Sequence, residues 1–374
     1  MEFRIGAQIP QTLKTDICSQ INEDIENVLR CPSCHARTLS YDGKQSDISC
    51  RNCAASYVAD LTNGWCSLIA KDEESAVKDN IRSWWGDLYN QLYAENDANL
   101  TAEIYFEQIA HLEDFFHASD HLAVHEMPLK DLNGQKVLEI GSGAGAHSAL
   151  FKKHGADIIS VDITPERVIS TALKLKLVSG GKGRAYQADG ENLPFCDEQF
   201  DIVYSNGVLH HSEDTEKCIA EVLRVLKPGG LAVLMLYSRH SANVWFNIFP
   251  RGVLTRTFFK YPSAEWMGLV TEGKPKHGAV KNPITRVYSE RELEGLLRDF
   301  DNISLRKAGW EWDQVAIPRL TQTRRWVMRA LGFKLHPGGI PVAGVPRMPP
   351  MKIERWLSRH IGFNWDIRAR KPLP

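Results

Sequence analysis

Three glycines, Gly141, Gly143 and Gly145, stand at alternate positions in LEIGSGAG, directly after a short apolar run and before a helix-compatible stretch. Glycine lets the backbone bend there without a Cβ and come close to a ligand, and the N–H groups that open the following helix favour electron-rich atoms. Acids recur around this loop. Glu139 lies two residues before the first glycine, Asp162 ends the next apolar run, and Asp189-Gly190 follows a third. Ionised carboxylates are strong acceptors for hydroxyl and amine donors. The loop alone also fits a dinucleotide fingerprint, since Gly141, Gly143 and Ala146 match GxGxxG/A and Asp162 sits about 20 residues on, where a ribose-binding acid belongs. A nicotinamide-dependent oxidoreductase is therefore one reading. Taken singly, Asp162 or Asp189 could equally be a helix cap or a turn former.

A second constellation lies upstream. Cys31-Pro-Ser-Cys34 and Cys50-Arg-Asn-Cys53 give C-x2-C-x15-C-x2-C, the spacing of a four-thiolate zinc site. Four protein ligands close the coordination sphere, which points to a structural metal rather than a catalytic one. Tetrahedral closure supplies stability that so short a segment cannot draw from a core of its own. The region 31–69 carries only Arg37, Lys44 and Arg51 as basic residues, too thinly spread for a phosphate track, so it reads as a folding or docking module.

The elements that must position these groups follow from periodicity. KVLEIG, DIISVD, RAYQA, FDIVYS and LAVLMLY read as strands, with helical stretches between them, one opened by Pro165. NISLRKAGW and NWDIRARK add two later strands. Such alternation implies a parallel α/β sheet covered on both faces, which gathers the acids at the carboxyl ends of neighbouring strands. Upstream, Ile81, Trp84, Trp85, Leu88 and Leu92 have helical spacing and predict connecting helices over 75–127. The segments 238–288 and 311–361 break the rhythm and are expected to cap the strand ends. The chain thus divides into a ribbon-like module (1–70), connecting helices (71–130), an α/β core (131–237) and a region of cap insertions and final strands (238–374).

Asn206 after the fourth strand, together with ENLPF, FDIVYSNGVLHH and VLRVLKPGG, makes residues 133–237 resemble a class I S-adenosylmethionine-dependent methyltransferase of the ubiquinone/menaquinone-biosynthesis type. The resemblance implies a Rossmann-like seven-stranded sheet with S-adenosylmethionine as cofactor. Glu139 and Gly141-Ser142-Gly143, with Gly145 behind them, would hold the methionine end. Asp162 would take both ribose hydroxyls and Ile163 would pack on adenine. Asp189 would accept from the adenine amine, Gly190 would leave room for the ring, and Asn206 and Val208 would border the reacting centre. His210 or His211 could serve as general base, with Tyr237 and His240 as weaker candidates. The expected reaction is in-line O- or C-methylation of a small biosynthetic molecule, aromatic or anionic to suit the cap. The cysteine module is similar to zinc domains of tRNA-methyltransferase activator proteins and to the finger of some ribosomal-RNA methyltransferases, so RNA methylation is the alternative, with nucleic acid as partner.

Composition bounds these readings. With 374 residues, 43% hydrophobic and 24% charged, the chain can bury a sizeable core. The net charge of −1 conceals an asymmetry: residues 1–237 hold 21 Lys/Arg against 35 Asp/Glu, and residues 238–374 hold 24 against 11. A basic third attracts something anionic, whether nucleic acid, a charged small molecule, a membrane surface or the acidic part of the same chain. No apolar run is long enough for a membrane span, and the first residues lack the apolar block of a secretory signal, so a soluble cytoplasmic protein is expected.

Overall fold

Buried side chains along the central strands alternate between two separate cores, as a sheet covered on both faces requires. The computed structural model describes residues 11–43, 47–60, 65–70, 75–180, 183–271, 282–312 and 320–374. The segments 272–281 and 313–319, parts of the two stretches that interrupt the α/β rhythm, lie outside the described residues.

An N-terminal helix α1 (Gln11–Asn27) precedes four short strands, β1 (Leu39–Ser40), β2 (Asp47–Cys50), β3 (Ser56–Asp60) and β4 (Trp65–Ser67). Helices α2 (Ala76–Leu92), α3 (Ala94–Ala98), α4 (Ala102–Ala118) and α5 (Leu122–His125) lead into the α/β core. There β5 (Lys136–Ile140), α6 (Ala146–Lys153), β6 (Asp157–Asp162), α7 (Pro165–Ser179), β7 (Ala185–Gln187), β8 (Phe200–Asn206), α8 (Thr215–Val225) and β9 (Leu226–Tyr237) alternate. The remainder comprises α9 (Phe249–Leu254), α10 (Ser263–Thr271), α11 (Glu290–Leu296), β10 (Asp301–Ala308), α12 (Leu320–Ala330), α13 (Ile340–Ala343), α14 (Lys352–Ile361) and β11 (Asn364–Arg370).

These strands form a sheet in the order β1-β2-β3-β4-β7-β6-β5-β8-β9-β11-β10. The seven predicted strands occupy one contiguous part of it, from β7 to β10. The count of seven must nonetheless be corrected to eleven, because β4 pairs parallel with β7 through Cys66↔Tyr186 and Ser67↔Gln187 and brings the cysteine-bearing strands onto the edge. One core gathers Leu138, Ile159, Val203 and Leu234 from the sheet with Ile219 and Val222 of α8 and Leu293 of α11. The other gathers Val137, Ile158, Ile202 and Val233 with Ile109 of α4 and Phe151 of α6. Ile21 of α1 and Ile48 and Tyr57 of the cysteine-bearing strands belong to the first core, so the described residues between Ile21 and Leu68 share their interior with the α/β core. Asp24 of α1 holds Arg184 and Tyr186 at the start of β7, a tie between residues 160 or more positions apart.

Beyond β9, α14 is fixed by a buried ion pair. Arg324 of α12 donates to both carboxylate oxygens of Glu354, at 2.6 and 3.0 Å, and Glu354 also accepts the Met351 N–H at the helix start. Neither side chain of the pair reaches water appreciably. Removing one partner strands a charge in the interior, so Arg324→Ala should lower unfolding free energy by about 3–5 kcal/mol in urea denaturation, whereas Arg324→Met combined with Glu354→Leu should recover most of the loss.

Candidate active site

Reversal of strand order at β5, whose neighbours are β6 and β8, opens a crevice at the carboxyl ends of the strands. A cavity of about 590 Å³ occupies it. Gly141, Ser142, Gly143, Asp162, Ile163, Asp189, Gly190, Asn206, Val208 and His211, drawn from four strand ends, all reach its wall. The glycines of the loop have φ of +77° at 141, +56° at 143 and +77° at 145. At Gly141 a Cβ would also stand 2.2 Å from Val208 Cγ2, so the loop requires glycine for space as well as for conformation.

Asp162 ties this loop to β6. Its Oδ2 accepts the Gly143 N–H at 3.0 Å, and its Oδ1 accepts the Thr164 N–H at 3.0 Å and the Thr164 hydroxyl at 2.7 Å. The turn-forming reading of Asp162 is thus realised, in the same carboxylate that faces the cavity. Asp189 is similarly held: Oδ1 accepts the Glu191 N–H at 2.9 Å, and Oδ2 lies 2.6 Å from Lys78 Nζ. Lys78, on α2, also reaches Glu191 at 3.3 Å. Burial opposes its charge, but the two carboxylates overcome that and push its pKa upward. Ile81 and Trp85, one and two turns along α2, also line the cavity, so α2 forms part of the wall.

Three expected site residues are not brought to the cavity. Glu139 is wholly buried beneath the loop, accepting from Ser148 and lying 3.5 Å from His147 Nδ1. Gly145 is drawn back against Thr171 and accepts from Tyr105 through its carbonyl. His210 is packed between His211 and Tyr237, with ring centroids 4.2 and 3.9 Å away, and both its nitrogens lack partners. His211 differs. Its Nδ1 lies 2.9 Å from both the Ile284 carbonyl and the Asn282 side-chain amide and 3.2 Å from the Thr285 hydroxyl; in the tautomer that donates from Nδ1 to the carbonyl, Nε2 is a buried lone pair with no partner. Burial, with Arg286 adding, holds its pKa down at about 4, so the imidazole is neutral near pH 7.

Residues that periodicity did not single out complete the wall. His121, stacked on Phe116 at 3.9 Å, and Asp366 of β11 both reach it. Burial pushes the Asp366 carboxyl up to about 7 although Arg306 donates to it at 2.7 Å. Trp310 leaves a buried Nε1–H without a partner, and its backbone N–H donates to Ser358 Oγ at 3.0 Å, which places it against the face of α14 that carries Arg355 and Arg359. Asp120 approaches those guanidinium groups at 3.3 and 3.9 Å.

Separately, the four cysteine sulfurs lie within 4.8 Å of one another, with Cys31–Cys53 at 3.7 Å and Cys34–Cys50 at 3.6 Å. The two CxxC turns repeat each other. His35 and Ala54, each just past the second cysteine, both have φ near +60°, and their N–H groups donate to the carbonyls of Cys31 and Cys50 at 2.8 and 2.9 Å.

Residues 138–234 match the family model described as a methyltransferase domain. That stretch includes the glycine loop, both acids and most of the strands that carry them, so the part of this mixed α/β fold that builds the cavity is similar to a methyltransferase domain. An uncharacterised methyltransferase of Mycobacterium sp. (strain KMS) is 34% identical over 116 residues, 31% of this chain and 42% of that protein. A demethylmenaquinone methyltransferase of Paenarthrobacter aurescens is 31% identical over 121 residues, 31% of this chain and 44% of that protein. The chain thus spans less than half the length of these relatives. Among solved structures, phosphoethanolamine N-methyltransferase 2 of Haemonchus contortus in complex with S-adenosyl-L-methionine superposes with a TM-score of 0.45 at 16% identity, over 80% of this chain and 61% of that one.

The buried histidines set an acid limit on the fold. His121, His210 and His211 all have pKa values depressed by burial, so the unfolded chain takes up protons below about pH 6.5 while the folded protein does not. Stability contributed by the neutral rings is present above that pH and lost as pH falls towards 4. In thermal melts the loss of midpoint between pH 6.5 and 4 should therefore be smaller in His210→Phe than in the wild type.

Proposed function

We propose that this chain is an S-adenosylmethionine-dependent methyltransferase acting on a small acceptor that carries an anionic group. The observation that carries the reading is the junction of a positive-φ glycine loop with Asp162 and Asp189 on the wall of one cavity, within the stretch that matches the methyltransferase domain. S-adenosylmethionine supplies a methyl group already activated on a sulfonium, so the protein's work is to bind, align and, for a hydroxyl acceptor, remove a proton.

In this reading Gly141-Ser142-Gly143 takes the methionine end through backbone N–H groups. Asp162 keeps acceptor capacity for one ribose hydroxyl, since a carboxylate offers about four lone-pair sites and three are used internally. Ile163 and Gly190 bracket the adenine, and Asp189 accepts its amine while Lys78 holds the carboxylate in place. Asn206 and Val208 border the reacting centre. His211 is the base of choice, because its unpartnered Nε2 belongs to a cavity-lining ring held neutral; Glu139 and His210 act from behind the wall. Trp310 Nε1–H, Arg355 and Arg359 present donors, which suits a carboxylate or phosphate on the acceptor. The demethylmenaquinone methyltransferase relative supports a small-molecule acceptor over RNA.

Zinc in the cysteine cluster belongs to the same proposal. Four sulfurs about 2.3 Å from a central ion would be about 3.8 Å apart, close to the separations of 3.6 and 3.7 Å within the cluster. Tyr57 and Thr38 hydroxyls, at 3.0 and 3.2 Å from Cys31 and Cys50 Sγ, would steady the thiolates.

Calorimetry with S-adenosylhomocysteine should give binding that Asp162→Ala weakens by about 2 kcal/mol, or roughly 30-fold, with an unchanged circular dichroism spectrum. An unaltered dissociation constant, or tighter binding of NAD, would overturn the cofactor reading. Metal analysis should find a single zinc per chain, lost in Cys50→Ser with a lowered melting temperature; a metal-free protein of the same stability would refute the metal.

A further inference from the structure

The helical segment after β9 is apolar on both of its faces. Val244, Ile248 and Gly252, spaced four apart, are buried against Trp266 of α10, whose ring lies so close to Gly252 that a Cβ there would stand 2.6 Å from Cζ3. This face also joins Tyr237 and Phe363, next to His210, so the segment is firmly seated on the fold. Among the described residues nothing covers the other face. Trp245 is 51% exposed, Phe246 61%, Leu254 82% and Phe259 71%. Ring contacts link Trp245 to Phe249 at 5.8 Å, Phe249 to Phe258 at 5.3 Å and Phe258 to Phe259 at 5.2 Å, so Trp245 and Phe259 belong to one run of rings, with Phe246 and Leu254 exposed on the same segment. A helix that is apolar all round is ordinarily buried on every side, and a large exposed apolar patch marks an interaction surface.

Charge identifies the occupant. Between Ser241 and Ala264 there are three basic residues, Arg251, Arg256 and Lys260, and no acidic one. Among the described residues none of the three makes an ion pair, whereas Arg306, Arg355 and Lys371 of the same basic third are matched by Glu126, Asp120 and Glu198. A second copy of the chain would set these cations against themselves across a two-fold axis, which is repulsive. Nucleic acid would use stacked aromatics and cations but gains nothing from Leu254. An anionic bilayer surface takes all of it: aromatic and aliphatic side chains at the headgroup–acyl boundary, cations at the phosphates. No helix among the described residues is long and apolar enough to cross a membrane.

We propose that the exposed aromatic face of residues 245–261 docks this protein on the surface of anionic lipid bilayers. The attachment is peripheral, and it is independent of the methyltransferase reading. None of the patch residues lines the cavity, so surface attachment leaves the cavity wall intact.

Co-sedimentation of the full chain with vesicles of phosphatidylcholine and phosphatidylglycerol tests this directly. Binding should be at least about ten-fold tighter to mixed vesicles than to phosphatidylcholine alone and should weaken in about 0.5 M salt. Trp245→Ser combined with Phe246→Ser and Phe259→Ser should lose at least about ten-fold, as should Arg251→Glu with Arg256→Glu and Lys260→Glu, while both variants keep the wild-type circular dichroism spectrum and S-adenosylhomocysteine affinity. No binding to the mixed vesicles, or equal binding by the aromatic variant, would overturn the proposal. So would sedimentation velocity showing a dimer that the aromatic variant abolishes, or RNA binding lost in that variant in place of vesicle binding.

Discussion

The carboxylate of Asp162 is the joint on which the cavity depends. It ends β6, yet one of its oxygens holds the backbone of the glycine loop that follows β5 and the other holds the turn that starts α7. Three pieces of chain that could each move are thereby fixed to one planar group. The glycines make the tight course of the loop sterically allowed, and the acid selects one course among those allowed. Because the same group faces the cavity, the shape of the loop and the polarity of the wall are set together. The Lys78–Asp189–Glu191 cluster does comparable work at the end of β7, drawing α2 against the strand ends and forming part of the enclosure with a helix far outside the α/β core.

The core was legible in the sequence because its signals are local. Apolar runs ending in glycine or acid, separated by helical stretches, put all seven expected strands at their observed places, and the loop glycines and Asp162 declared themselves by spacing. What escaped was everything that depends on distant pairing. Lys78 reads as an ordinary surface lysine until α2 is laid beside Asp189, and Asp366 is one acid in a basic strand until β11 inserts between β9 and β10. Glu139 and His210 erred differently: each has the right position in the chain, but the alternation of a strand or the tilt of a short turn sends the side chain into the packing rather than the crevice. The eleven-stranded sheet was equally hidden, since the two-residue pairing of β4 with β7 has no periodic signature.

The opposite charges of the two parts of the chain resolve into different uses. Part of the basic third is paired internally, with Arg306 between Glu126 and Asp366 and Arg355 at Asp120, so the acidic portion does serve as counter-ion there. The pairing is selective, and it concentrates on strands and helices that build the cavity wall. The segment between Ser241 and Ala264 is exempt from it, and the same segment exposes its rings. Charge left over and apolar surface left over coincide there, although nothing in the packing of the fold requires them to.

The parallel attachment of β4 to β7 carries a structural liability of its own. Without the ribbon strands, β7 would present a bare row of amide and carbonyl groups, an open template on which another chain could build. The cysteine-bearing strands shield that margin, seated there by Ile48, Tyr57 and Leu68 in the shared core. Loosening of those strands would thus register as a tendency of molecules to stick together, at a site remote from the crevice.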